Sequence, residues 1–72
     1  MMSKYSNILH DFRGDVDGKQ RWAQVLTHPE GYAIQFFINN VFQTTRVITG
    51  HSEQYAEDAA ENFVLGVLNL DD

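Results

Sequence analysis

The residues of this 72-residue chain whose types could do chemistry are three histidines, His10, His28 and His51, and a run of acids. Glu53, Glu57 and Glu61 recur every fourth residue, with Asp58 beside them. A histidine acts as a general base only when a nucleophile or an acidic proton lies within hydrogen-bond reach. Neither His28, in a turn, nor His51, just ahead of a helix, has such a partner at a spacing that the sequence fixes. His10 and Asp11 are adjacent, and on an extended strand adjacent side chains point to opposite faces, so they form no dyad. A hard divalent cation needs about six oxygens converging from more than one element. Four acids on one helix face do not supply that, and the expectation is a solvated acidic face.

The segment Asp15-Val16-Asp17-Gly18 has the opening of a calcium loop but none of its later ligands and no terminal glutamate. Its carboxylates would also repel a phosphate. Asp-Gly is a strong hairpin signal instead. These readings give no catalytic residue, no cofactor or metal site and no enzyme, and a chain this short has little room for a pocket of several hundred Å³.

Phe37 and Phe42 are the most informative residues, and their meaning depends on the elements that carry them. Residues 20–49 alternate as strands. His28-Pro29-Glu30-Gly31 places proline where a type I turn wants it and glycine where a bulge needs positive φ. Asn39-Asn40 tolerates left-handed conformations and closes a two-residue hairpin between Ile38 and Val41. Pairing outward from these turns sets Leu26 opposite Ile34, Trp22 opposite Ile38, Phe37 opposite Phe42 and Tyr32 opposite Val47. The expected core face then holds Trp22, Leu26, Tyr32, Ile34, Phe36, Ile38, Val41 and Val47. The other face holds Arg21, Ala23, Val25, Thr27, Ala33, Gln35, Phe37, Phe42, Thr44, Arg46 and Ile48. An aromatic pair with an apolar surround and a basic rim is the pattern of an interaction patch. The candidate interaction residues are therefore Phe37, Phe42, Ile48, Arg21 and Arg46.

The layer that covers the core face is the C-terminal segment. Tyr55, Ala56, Ala59, Ala60, Phe63, Val64, Val67 and Leu68 recur at helical spacing and form one buried stripe. Ser52 is the expected N-cap, and Glu53 sits where the helix dipole favours negative charge. Gly66 marks either close packing or fraying. Two readings stand for the N-terminal quarter. Tyr5, Ile8, Leu9 and Phe12 have helical spacing behind Ser3 with Gly14 as a stop, whereas residues 6–13 also read as a strand turned back through Asp17-Gly18. The whole is one α+β domain over residues 1–72, an antiparallel β-meander of three or four strands with an amphipathic C-terminal helix on one face.

Formal charge is −5, with acids gathered at residues 53–61 and Asp71-Asp72, while residues 31–50 carry only Arg46. No apolar run approaches the roughly 18 residues that span a bilayer, and the N-terminus lacks a signal-peptide pattern, so no membrane is expected and the location is read as cytoplasmic. There is no cysteine and no clustered metal-ligand signature, so association is the expected supplement to a thin core.

Two resemblances follow from particular stretches. Tyr32-Ala33-Ile34-Gln35-Phe36 through Ala56-Glu57-Asp58-Ala59-Ala60 resembles the C-terminal half of a double-stranded-RNA-binding domain. That family holds phosphate with lysines at the start of its last helix. Here the matching stretch is Ser52-Glu53-Gln54-Tyr55-Ala56-Glu57-Asp58, with acids where the family has bases, so the resemblance implies the fold without the RNA activity. Residues 20–68, through the stretch Ser52-Glu53-Gln54-Tyr55-Ala56-Glu57-Asp58-Ala59-Ala60-Glu61-Asn62-Phe63, also resemble small uncharacterised proteins of tailed bacteriophages, particularly those of marine cyanobacteria. That implies an accessory or host-interaction protein in an infected bacterial cell and assigns no functional residue. The leading expectation is a non-catalytic protein-interaction module that forms a homodimer. The alternatives are single-stranded nucleic-acid binding on the sheet face away from the helix, and an acidic decoy that binds a basic host site through Glu53, Glu57, Asp58 and Glu61.

Overall fold

The computed structural model describes residues 8–70. Four antiparallel strands run in chain order as a single sheet: β1 (Ile8–Val16), β2 (Lys19–His28), β3 (Gly31–Ile38) and β4 (Val41–Thr49). One helix, α1 (Glu53–Val64), packs across β1, β2 and β3 on one side. The α+β meander with its C-terminal helix is thus the observed fold, and the strand reading of the N-terminal quarter is the one adopted from Ile8 onward. Ser3 and Tyr5 lie outside the described residues.

Local chemistry explains the connections. Asp17 (φ +53°) and Gly18 (φ +82°) close β1–β2, and Asn39 (φ +51°) and Asn40 (φ +67°) close β3–β4. Positive φ at both central residues is the type I′ geometry, whose twist matches that of the flanking strands. Ser52 caps α1, its Oγ accepting the Tyr55 N–H at 3.2 Å. We expect Ser52→Ala to lose about 1 kcal/mol in a urea melt and Ser52→Asp to keep parental stability. Equal stability of the alanine variant would show that the cap contributes nothing. At the other end Gly66 takes φ +85° and the Val67 N–H donates to the Asn62 carbonyl at 2.9 Å, a Schellman-type stop. The helix is therefore shorter than its apolar stripe predicts, and Val67 stands exposed beyond it.

The core holds Ala23, Val25, Ile34, Phe36 and Ile48 from the sheet against Ala56, Ala60, Phe63 and Val64 from the helix. Phe36 and Phe63 meet edge to face with ring centroids 4.7 Å apart. Three features correct the sequence reading. The β2–β3 hairpin turns on Pro29-Glu30 alone and pairs His28 with Gly31, so Leu26 faces Ala33 and Trp22 faces Phe37. That one-residue difference turns β2 over, because side chains alternate. Ala23 and Val25 go to the core, and Trp22 goes to the far side. In β4 an extra residue at Gln43 bulges between the pairs Phe37–Phe42 and Phe36–Thr44, so Tyr32 pairs with Ile48 rather than Val47. Tyr55, expected in the buried stripe, is exposed and stacks on His51 at 3.8 Å.

Candidate functional site

The sheet face away from the helix is built from three rows that run across the strands. Ile8, Leu26, Ala33 and Val47 form one apolar row. Asp11, Gln24, Gln35 and Thr45 form a polar row beside it, followed by Arg13, Trp22, Phe37 and Phe42. In the last row the rings are continuous. Trp22 stacks on Phe37 at 4.3 Å, Phe37 meets Phe42 edge to face at 5.7 Å, and the Arg13 guanidinium lies 4.2 Å over the Trp22 ring. The Trp22 indole N–H donates to Asp11 on β1.

Exposure along this face is graded. Leu26 and Ala33 are buried and Trp22 and Phe37 are half-buried, whereas Phe42 is 53% exposed. On β4 every residue except Ile48 is exposed, including Val41 and Val47. The helix packs mainly on β1, β2 and β3 and covers only Ile48 of this strand, whose outer edge has no neighbour among the described residues. Antiparallel sheets that show one face to water normally make that face polar. An aromatic row leading to a bare edge strand departs from that rule.

Of the five expected interaction residues, the structure brings together Phe37 and Phe42 and separates the other three. Ile48 is buried in the core under the helix. Arg21 is on the helix side, where Nη1 donates to the carbonyls of Phe63 and Leu68, both at 3.1 Å, and Nη2 donates to Asn69 Oδ1 at 3.0 Å. Its guanidinium also lies 4.8 Å over the Phe63 ring. Arg21 thus caps the negative end of α1 and covers its main core aromatic, a packing role. Arg46 also points to the helix side, 5.8 Å over Phe36. It borders a groove of about 380 Å³ between β4 and the helix, with Tyr55, Asp58, Ala59, Asn62 and Leu68. The basic rim expected around the aromatics is therefore absent among the described residues, apart from Arg13. Trp22 and Arg13 were not among the expected site residues. The signal that could have found them is the Pro-Glu turn, which when read as a two-residue connection places Trp22 against Phe37.

The acids fall differently from their sequence reading, and His10 gains partners from the helix, while His28 keeps its expected turn role. His10, on the helix side of β1, brings Nε2 to 2.7 Å from Glu53 Oε2 and 3.0 Å from Glu57 Oε2. These three ligand atoms lie within 4.8 Å of one another. Glu53 and Glu57 are thus drawn inward, and the uniform solvated face expected for the acids is reduced to Asp58 and Glu61. Asp58 accepts from Gln54 Nε2 at 3.0 Å. Asp11 points to the opposite face from His10, as alternation requires. His28 Nδ1 accepts the Glu30 N–H at 3.0 Å, a turn role.

Compared with known protein families, with curated proteins and with solved structures, this chain matches none.

Proposed function

We propose that this protein is a non-catalytic interaction module that pairs with a second copy of itself through β4 and the aromatic row ending at Phe42. The observation that carries this reading is β4, exposed along its edge and at every residue but Ile48. Edge strands are ordinarily guarded by charge, proline or a bulge. β1, the other edge, carries Asp11, Arg13 and Asp15. β4 has only Arg46, and its bulge at Gln43 guards only the start of the strand, leaving Thr44–Thr49 regular. A copy of the chain suits the remaining surface because the acids of α1 lie on the opposite side of the sheet, so two acidic chains meet where their charge is lowest. The thin core of a small domain is also supplemented by such burial.

Sedimentation equilibrium tests this directly. The expected result is a dimer at micromolar concentration that Phe42→Lys converts to a folded monomer. Trp22, the sole tryptophan, lies in the same row and reports the event independently. Its emission shifts to shorter wavelength as the parent is concentrated and stays constant in Phe42→Lys. A parent that is monomeric at hundreds of micromolar would rule out the homodimer, and a dimeric Phe42→Lys would rule out this interface.

The row Trp22-Phe37-Phe42 also supports a second reading, single-stranded nucleic-acid binding, because every base can stack on an exposed ring. Arg21, Arg46 and Lys19, which that reading needs for phosphate, are on the other side of the sheet, so it ranks below the dimer. Quenching of Trp22 by an oligonucleotide, falling steeply with salt, would favour it. The acidic-decoy reading loses Glu53 and Glu57 to His10 and has the least support. A host protein in an infected bacterial cell remains the proposed partner class beyond the copy itself, resting on the phage resemblance of residues 52–63.

A further inference from the structure

The contacts around His10 do not reduce to an ordinary ion pair. An imidazole Nε2 directs one lone pair or one N–H along one line, yet two carboxylate oxygens approach it, at 2.7 and 3.0 Å. One proton cannot be aimed well at both oxygens. The two glutamates also stand four residues apart on α1, a spacing at which like charges repel. The arrangement therefore gathers three possible ligand atoms, one from an imidazole and two from carboxylates, within 4.8 Å of one another.

We propose that His10, Glu53 and Glu57 form a three-ligand site for a divalent transition-metal ion of the Zn²⁺ type. With bonds of about 2.0–2.2 Å, tetrahedral Zn²⁺ holds its ligand atoms about 3.3 Å apart. His10 Nε2 thus needs to retreat only slightly from either oxygen, and the set, which spans no more than 4.8 Å, closes to that spacing by side-chain rotation of the glutamates. The ligands come from two elements with fixed backbones. His10 is on a strand, its ring stacked toward Phe12 at 6.1 Å, and both glutamates are on the first two turns of a 12-residue helix. This meets the condition of convergence from more than one element that the acids alone fail.

The donor set selects the ion. One imidazole and two carboxylates suit Zn²⁺ and its neighbours in the first transition series, whereas Mg²⁺ and Ca²⁺ prefer six or more oxygens. Three protein ligands leave a fourth position for water or for a donor from another molecule. The side chains are part-exposed, with His10 at 30%, Glu53 at 42% and Glu57 at 27%, so the ion has a direct path from solvent. Once bound, it would clamp edge strand β1 to the start of α1.

Calorimetric titration of the metal-stripped full chain with ZnCl₂, and separately with MgCl₂, tests the site. The expected result is one Zn²⁺ per chain, no saturable Mg²⁺ binding and a melting temperature that rises with Zn²⁺ concentration. His10→Ala and the isosteric Glu57→Gln should each weaken Zn²⁺ binding at least about tenfold, since even loss of a partner that only supports a ligand has an effect of that size. His51→Ala should leave binding unchanged. No saturable binding up to millimolar Zn²⁺ would overturn the site. So would parental affinity in Glu57→Gln, which decides alone if His10→Ala does not fold, or loss of binding in His51→Ala.

Discussion

Phe36→Ala is expected to lose about 3–5 kcal/mol of folding stability, the range for truncating a large buried aromatic. Phe36 is fully buried on β3, edge to face with Phe63 and beneath Arg46. Truncation removes the transfer energy of the ring and leaves a cavity whose walls are poorly able to collapse. On one side is a hydrogen-bonded sheet, and on the other is a helix held by Ser52 at its start and by Arg21 at its end. Small domains have little more than 5 kcal/mol in total. The variant should therefore be largely unfolded at room temperature or melt at a much lower urea concentration. Measurement at one fixed protein concentration keeps association from masking the difference. A variant with a near-parental midpoint would show that Phe36 does not occupy the core.

The second large effect is expected at a residue with no side chain. Gly14 on β1 lies directly under the end of α1, and a Cβ there would meet the Val64 carbonyl oxygen at 2.5 Å and its carbon at 3.2 Å. Both are backbone atoms of the helix, so no rotamer change relieves the clash. Gly14→Ala must move the last turn of α1 away from the sheet. That movement opens the seat of Phe63 and Val64 and disturbs the Arg21 hydrogen bonds to Phe63 and Leu68. Overpacking of this kind costs about 1–3 kcal/mol, and urea denaturation of Gly14→Ala at matched concentration measures it. Parental stability would mean that the helix end is not seated on β1.

Gly14 also shows where sequence reading stopped. As a sequence feature it reads as the stop of a possible N-terminal helix, because a glycine carries no record of what lies above it. In the folded chain it is the place where two backbones come together. His10 is similar. Read from its neighbours it has only Asp11, and the glutamates that approach it are 43 and 47 residues away along the chain.

What the sequence by itself determined is local. The Asp-Gly and Asn-Asn turns can take positive φ at two successive positions, and Ser52 followed by an apolar stripe at helical spacing starts a helix, whatever the rest of the chain does. These signals act within a few residues, so the meander, the helix and the pairing of Phe37 with Phe42 were legible. What only the tertiary structure decided is which side of each strand meets the helix. Both faces of β2 are apolar enough to serve, with Trp22 and Leu26 on one side and Ala23 and Val25 on the other. Small residues win because α1 approaches closely through Ala56 and Ala60, leaving no depth for an indole. Arg21 shares that face because its guanidinium satisfies the Phe63 carbonyl in the helix's last turn and the Leu68 carbonyl beyond it, and lies over the Phe63 ring. A period of two along a strand defines two faces but does not rank them, so the choice falls to the shape of the partner.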